Sequence, residues 1–108
     1  MKLNYTPEAI SDIQEIRCYI KNILHNPTAA KRISKAILSA CSSLKSFPEM
    51  GISIENKTGF ETDLRMLICE NWIAVYRIEN ESSVISVARI LYARQDYMRI
   101  LFGEIAFN

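Results

Sequence analysis

The residues of this chain best suited to chemistry are arginines and tyrosines in its second half. Six of them lie inside or directly after runs of Leu, Ile and Val: Arg65, Arg77, Arg89, Tyr92, Arg94 and Tyr97. Successive side chains of a strand alternate between its faces, so an arginine within an apolar strand must reach an open face or a partner. A guanidinium fork suits phosphate and carboxylate groups. The set predicts a concave sheet face of cations and phenols around a phosphate-sized or carboxylate-rich partner.

Ion pairing is the competing interpretation of these arginines. Five carboxylates near the predicted strand ends could neutralise them, Arg77 above all: Glu61, Asp63, Glu70, Glu79 and Asp96. Other kinds of active site lack the necessary residues. The sequence has no glycine-rich phosphate loop, no paired-carboxylate motif and no HExxH, and one histidine, His25, in a predicted solvated turn offers no Ser-His-Asp set.

Neither a cofactor nor a metal site is expected. The three cysteines, Cys18, Cys41 and Cys69, are widely spaced and form no CxxC, so neither a disulfide framework nor a zinc site is indicated. Free cysteine packs as a small hydrophobe, and buried, unreactive thiols are predicted.

Composition indicates one globular domain spanning residues 1–108. Of the 108 residues, 49% are hydrophobic, which is enough to form a core without metals or disulfides. The charged share of 23% is typical of a soluble globular domain. The chain has no run of ~20 apolar residues and no secretory leader, which predicts a cytoplasmic protein with no membrane partner. The net charge of +1 gives no bulk-charge argument for nucleic-acid binding.

A strand and two helices are predicted to position the first half of the chain. Leu3 to Tyr5 alternate as a short strand, and Thr6-Pro7 is typical of a helix start. Asn26-Pro27 starts a second helix, which ends before Phe47-Pro48. Three- and four-residue spacing gives each helix an apolar stripe: Ile10, Ile13, Ile16, Ile20, Ile23 and Leu24 in the first, and Ala30, Ile33, Ile37, Cys41 and Leu44 in the second. We expect an antiparallel hairpin whose stripes face each other and a sheet.

The second half is predicted to supply that sheet. Residues 51–63 are polar and contain Gly59, which indicates a loop. Residues 64–69, 72–78 and 83–92 are predicted strands joined by short turns, and residues 96–102 a closing helix. The predicted fold class is α+β, with a helical hairpin on one face of a four-stranded, mainly antiparallel sheet.

This order of elements resembles the RelE/ParE toxin superfamily over about 95 of the 108 residues. The resemblance rests on short motifs in the same order, of which the last is similar to the family's strand ending R-I-L-H-x-R-x-D-Y. The motifs are Pro7-Glu8-Ala9, Pro27-Thr28-Ala29-Ala30, Phe47-Pro48 with Gly51, Leu64-Arg65-Met66-Leu67, Val75-Tyr76-Arg77-Ile78, and Arg89 to Tyr97.

The resemblance implies the toxin of a type II toxin–antitoxin pair, which inhibits bacterial growth and is neutralised by a cognate antitoxin. In this family the antitoxin wraps the toxin with an extended, partly helical segment. ParE-like members bind and poison DNA gyrase without active-site chemistry of their own. RelE-like members cleave mRNA on the ribosome, without metal, through the RNA 2′-hydroxyl.

For the RelE-like activity the resemblance implies a role for each candidate residue. Arg65 and Arg94 would stabilise the charged phosphorane, and Tyr97 or Tyr92 would serve as acid or base. The positive charges of Arg89 and Arg94 would favour the ionised form of the tyrosine that acts as the base.

Three features of the sequence favour the ParE-like branch, which includes plasmid-stabilisation proteins. Tyr92 stands where many relatives carry His, and near-neutral charge fits poorly with docking on ribosomal RNA. The hairpin, which starts Pro-x-Ala-Ala and ends Leu-x-x-Phe-Pro-x-x-Gly, is closer to ParE. A ribosome-dependent mRNA endoribonuclease and an inactive, interaction-only relative are the alternatives.

Overall fold

A computed structural model describes residues 1–103 of the chain. Its elements follow the predicted order of strand, helical hairpin, antiparallel meander and C-terminal helix, so the α+β fold class is confirmed. In chain order they are β1 (Lys2–Tyr5), α1 (Pro7–Cys18), a π-helical turn (Tyr19–Ile23), α2 (Pro27–Ser43), β2 (Ile52–Ser53), α3 (Ile54–Thr58), β3 (Arg65–Cys69), β4 (Trp72–Glu79), β5 (Val84–Tyr92) and α4 (Tyr97–Phe102).

The strands form one sheet in the order β1-β5-β4-β3-β2. β1 runs parallel to β5, and the other neighbours are antiparallel. The register of β4 on β5 shifts between Val75 and Tyr76, which pair with Arg89 and Val87. The extra residue on β5 is Ala88, and such a bulge locally bends and twists a strand. The regular alternation of side chains between the two faces of β5 is therefore interrupted just before Arg89.

The expectation of a loop over residues 51–63 is wrong in part, and the sheet has five described strands instead of four. Ile52 and Ser53 pair with Met66 and Arg65 as β2. The Ser53 hydroxyl then caps α3 by accepting a hydrogen bond from the Asn56 backbone N–H. Ile54 anchors the short helix in the core, where it is fully buried. One cap and one apolar anchor are enough to order a segment whose average composition is polar.

The predicted starts of the two long helices are confirmed. Thr6 Oγ1 accepts a hydrogen bond from the Ala9 N–H at 3.1 Å and donates one to the Ala88 carbonyl at 2.8 Å. Asn26 Oδ1 accepts from the Ala29 N–H at 3.0 Å. These caps satisfy backbone donors that the first turn of a helix leaves without partners. Thr6 also fixes the start of α1 to β5.

Both faces of the sheet are covered, so the sheet face expected to be half-open is closed in the central strands. On one face α1 and α2 pack over a core that includes Ile37, Cys41, Leu44, Tyr76 and Val87. On the other face lies a second core, against which side chains of α4 pack: Ile54, Leu64, Met66, Ile73, Val75 and Leu91. Polar side chains of β3 to β5 must therefore leave the sheet at its ends and edges.

The apolar stripe predicted for the first helix is only partly buried. Ile16 and Ile20 lie in the core, but Ile10, Ile23 and Leu24 are 48%, 63% and 55% exposed. Residues Tyr19–Ile23 adopt a π-helical turn, and its wider i→i+5 spacing rotates the following residues away from the stripe. The stripe of α2 is buried as predicted, with Ile33 half-buried.

The cysteines are free, but they are not all buried as expected. Cys41 is buried, Cys69 is half-buried and Cys18 is exposed, because Cys18 lies on the outer flank of α1. His25 is exposed in the turn between the long helices, as predicted. Among the helices of residues 1–103, none has the length and apolar character needed to cross a membrane.

Candidate functional site

Arg65, at the start of β3, directs its guanidinium to the loop that precedes β2. Nη2 donates hydrogen bonds to the Gly51 carbonyl at 2.6 Å and the Glu49 carbonyl at 3.1 Å. Its Nε is buried and has no hydrogen-bond partner within residues 1–103. Two carbonyls of one loop therefore hold Nη2 of this guanidinium.

Tyr76, in β4, forms two hydrogen bonds with the same loop. Its buried hydroxyl donates to the Pro48 carbonyl at 2.7 Å and accepts from the Gly51 N–H at 3.0 Å. A Cβ atom on Gly51 would lie 2.6 Å from the Tyr76 hydroxyl oxygen and 2.7 Å from the Met66 carbonyl oxygen. Close packing on Tyr76 and the Met66 carbonyl thus explains the Gly51 position of the sequence motif.

Arg89 forms a bidentate ion pair with Asp12 of α1. Nε and Nη2 donate to Oδ2 and Oδ1 at 2.8 and 3.1 Å, and Oδ2 also accepts from the Ile90 backbone N–H at 2.9 Å. The Asp12 side chain is only 12% exposed. Hydrogen bonding to Asp12 raises the pKa of Arg89, burial opposes the rise, and the charges of Asp12, Glu8 and Glu15 add to it. The charge of Arg89 is therefore neutralised from the side of α1.

Arg77 is paired with Asp63, whose carboxylate accepts from the Arg77 Nε at 2.8 Å. Both side chains are about half exposed. The ion-pair interpretation is confirmed for Arg77. Arg89 is paired too, but with Asp12, an acid of the first helix that was not among the five expected partners.

Tyr92 and Tyr97 lie on opposite faces of the sheet. The Tyr92 ring meets Trp72 edge-on, with centroids 5.2 Å apart, and lines a groove beside the helical hairpin. Tyr97 packs against the second core. Arg94 is exposed in the turn between them, which is closed by hydrogen bonds in both directions between Tyr92 and Gln95.

The six residues predicted to line one concave face do not do so. Arg89 and Tyr92 line the same cleft of about 250 Å³, together with Asp12 and Gln95. Arg65 is at the level of Tyr76 and Tyr92 at the level of Trp72, so their backbones are roughly 13 Å apart along the strands and roughly 10 Å apart across them. The structure brings Arg89 and Tyr92 together, and it leaves Arg65, Arg77 and Tyr97 elsewhere.

An apolar groove of about 580 Å³ adjoins this cleft, between the π-helical turn and the β3–β4 turn. Tyr19 and Leu24 are 53% and 55% exposed on its rim. We call it the apolar groove, and its lining residues are Tyr19, Ile20, Leu24, Asn26, Ala29, Ile33, Asn71, Trp72 and Tyr92. The three- and four-residue spacing of the first helix predicts Leu24 in the core, and it is exposed instead. The available signal was an excess of apolar residues at 19, 20, 23 and 24, more than one helical stripe can bury.

Residues 1–103 contain no group of His, Cys, Asp and Glu side chains arranged to hold a metal ion. The described surface offers the arginine ion pairs, Tyr92 and Arg94 near the cleft, and the apolar groove.

Comparisons with known structures identify the fold. The ParDE toxin–antitoxin system from P. aeruginosa matches with a TM-score of 0.72 and 21% identity, over 87% of this chain and 97% of that chain. The RelBE2 complex from Mycobacterium tuberculosis matches with a TM-score of 0.61 and 14% identity, over 84% and 95%. The isolated E. coli RelE toxin matches with a TM-score of 0.54 and 14% identity, over 96% and 97%. The shared feature is the fold.

Sequence comparison identifies the family. No curated protein sequence matches the chain significantly. The family model described as "ParE toxin of type II toxin-antitoxin system, parDE" matches residues 3–97, from β1 through the first residue of α4. Because this match spans most of the chain, the protein belongs to the ParE toxin family of type II toxin–antitoxin systems.

Proposed function

We propose that the protein inhibits bacterial growth as a ParE-like toxin, by binding and poisoning DNA gyrase, and that a cognate antitoxin neutralises it. The observation that carries the proposal is the engagement of Arg65 and Arg89 within the fold. Cleavage of RNA through its 2′-hydroxyl needs cations and an acid or base around one phosphate. Arg65 is bound to two carbonyls and Arg89 to Asp12, which supports a binding surface over a nuclease site.

The apolar groove is the surface we assign to the antitoxin. It combines exposed Tyr19 and Leu24 with Trp72 and Tyr92, and aromatic residues are enriched in protein interfaces. An amphipathic helix places its apolar side chains in such a groove. Leu24→Ser is expected to weaken antitoxin binding about tenfold or more, which corresponds to roughly 1.4 kcal/mol. Leu38→Ser is the matched control, because Leu38 is also an exposed leucine of the hairpin but lies outside the groove.

The decisive experiment is inducible expression in bacteria, with mRNA 5′ ends mapped by primer extension soon after induction. The proposal predicts growth arrest with intact mRNA, and loss of supercoiling activity when purified toxin is added to DNA gyrase. Arg94→Ala and Tyr97→Phe are expected to leave mRNA intact and growth still arrested. Unaffected growth, despite binding to the antitoxin, would indicate the inactive relative and contradict the proposal.

A RelE-like ribosome-dependent endoribonuclease is the second candidate. The observation in its favour is that Tyr92 and Arg94 lie at one end of the sheet, and Arg94 has no ion pair within the described residues. New mRNA 5′ ends at codon positions, abolished by Arg94→Ala, would support this candidate and overturn the first.

A further inference from the structure

The helical hairpin carries a separation of charge that the near-neutral total conceals. Residues 16–48 contain no Asp or Glu, but they contain six cations: Arg17, Lys21, Lys31, Arg32, Lys35 and Lys45. α2 alone has three cations and no acid. The acids that balance them in the sum lie elsewhere in the chain, so the potential at the hairpin surface differs from the net charge.

α1 divides its own charges between two flanks. Asp12 and Glu15 line the cleft that contains Arg89, and the negative charges of Glu8 and Glu15 act on that arginine. Arg17 of α1 lies on the other flank, where it lines a separate cleft against α2 together with Lys21 of the π-helical turn. Asp12 and Glu15 are therefore directed toward β5, and Arg17 and Lys21 toward the outer surface of the hairpin.

Two neighbouring clefts connect these cations with those of α2. Arg17, Lys21 and Lys31 line the first, and Lys31, Arg32 and Lys35 line the second, so Lys31 joins them. Neither cleft has a carboxylate in its lining. Arg32 is paired with Glu70 at 3.0 Å. The other four cations are exposed and have no ion-pair partner within residues 1–103, and we call them the basic surface: Arg17, Lys21, Lys31 and Lys35.

We propose that the basic surface binds the phosphate backbone of duplex DNA. Lys31 and Lys35 are one helical turn apart, about 6 Å along α2, and form a row beside Arg17 of α1 and Lys21 of the π-helical turn. Rows of Lys and Arg neutralise successive phosphates and displace the condensed counterions of DNA. Contacts of this kind position a protein without reading the base sequence.

The composition of the two clefts favours a duplex over a single strand. Proteins that bind single strands stack bases on aromatic side chains. Neither cleft contains an aromatic residue, since the remaining lining residues are Gln14, Cys18, Pro27, Thr28 and Ala30. A surface that offers cations without stacking platforms suits a backbone whose bases are already stacked.

The choice of DNA rests on the proposed function, since gyrase acts on duplex DNA. The basic surface shares no lining residue with the apolar groove. The surface proposed for DNA is therefore separate from the surface that we assign to the antitoxin.

The test is fluorescence anisotropy with the full-length chain and a labelled duplex DNA of about 20 base pairs, between about 50 and 200 mM salt. The variant carries Lys21→Gln, Lys31→Gln and Lys35→Gln. Its matched control carries Lys2→Gln, Lys45→Gln and Lys57→Gln, three exposed lysines outside both clefts, and so has the same net charge. Circular dichroism checks that both variants fold.

We expect the first variant to bind DNA at least tenfold more weakly than the wild type, and the control to bind within about twofold. Loss of three phosphate contacts should also reduce the salt slope of log K by about 2.7, at about 0.9 for each contact. Equal losses in both variants would overturn the proposal, because only bulk charge would then matter. Tighter binding to single-stranded DNA, to duplex RNA of the same sequence or to polyglutamate would also overturn it.

The same proteins separate this inference from the proposed function. Wild-type protein that inhibits gyrase but does not bind DNA would leave the proposed function standing and overturn the inference. DNA binding that depends on the three lysines, without inhibition of gyrase, would support the inference and overturn the proposed function.

Discussion

Asp12 and Arg89 lie 77 residues apart in sequence and join α1 to β5 through two charge-assisted hydrogen bonds of 2.8 and 3.1 Å. The β1–β5 pairing ends at Val87, so the edge of β5 beyond that residue has no strand neighbour on that side. There the Asp12 carboxylate accepts a hydrogen bond from the Ile90 N–H, as a neighbouring strand would. A side chain thus supplies the acceptor that β1 is too short to provide.

Asp12→Ala is therefore expected to destabilise the fold by about 2 to 3 kcal/mol. The change leaves the half-buried Arg89 charge and the Ile90 N–H without their partner, and hydrogen bonds to charged groups contribute roughly 1.5 to 3 kcal/mol. Urea unfolding of Asp12→Ala, Arg89→Ala and the double variant measures the coupling. Glu15→Ala is the control, because Glu15 is an exposed acid of the same helix with no ion pair within residues 1–103. A loss no larger than that of the control would contradict the assignment.

Local features of the fold were predictable from sequence, and long-range pairings were not. Thr6-Pro7 and Asn26-Pro27 each contain a cap and its helix start within a few residues. The partner of Arg89 depends on a bulge at Ala88 and on the docking of α1, which no short motif specifies. Arg65 was assigned to chemistry for the same reason, since its partners are backbone carbonyls that carry no sequence signal.

The sequence pattern does not predict the apolar groove, because three- and four-residue spacing assumes a regular α-helix. A regular α-helix would have placed Ile23 and Leu24 with Ile16 and Ile20, and the sequence pattern fits that arrangement. The π-helical turn breaks the register and leaves Leu24 on the surface beside Trp72. The candidate surface is thus a consequence of a local irregularity that periodicity cannot detect.

Arg65→Ala is expected to reduce the free energy of unfolding by about 2 kcal/mol. The variant removes the donor to the Glu49 and Gly51 carbonyls and releases the loop before β2. Arg94→Ala should change stability by less than about 0.5 kcal/mol, because Arg94 is exposed and its guanidinium has no ion pair among the described residues. Thermal and urea unfolding compare the two. An Arg65→Ala protein of wild-type stability that no longer arrests growth would instead assign Arg65 to the functional site.

Gly51→Ala is expected to destabilise the protein by about 2 kcal/mol or more through steric contact. The added Cβ would lie under 3 Å from both the Tyr76 hydroxyl oxygen and a backbone carbonyl of β3. The hydroxyl is one of three atoms this close, and the others, the Met66 carbonyl oxygen and a ring carbon of Tyr76, remain in Tyr76→Phe, so this change should relieve only part of the loss in the double variant. Tyr76→Phe alone should lose about 1 to 2 kcal/mol, since the Gly51 N–H and Pro48 carbonyl lose a buried partner. Tyr19→Phe, on the surface, is the control, and strictly additive losses would contradict the contact.

Stability at alkaline pH is expected to depend on Cys41. Burial raises the pKa of this thiol from 9.0 to about 11, with a hydrogen bond from Tyr5 opposing the rise and the charge of Cys69 adding to it. The pKa of Tyr5 is raised as well, first by burial and then by Cys41. Below about pH 9 the Cys41 thiol is protonated in both the folded and unfolded chains, so its contribution is complete.

Between about pH 9 and about pH 11 the unfolded chain loses the proton of Cys41 first, and stability falls by up to 1.36 kcal/mol for each pH unit. Urea unfolding at about pH 8 and about pH 10.5 measures this fall. Cys41→Ala should lower stability at the first pH but show a shallower fall to the second, whereas Cys18→Ala, at an exposed position, should retain the wild-type slope. Identical pH slopes for the two variants would show that the buried thiol does not govern the alkaline limit, and would leave Tyr5 as the group to test by Tyr5→Phe.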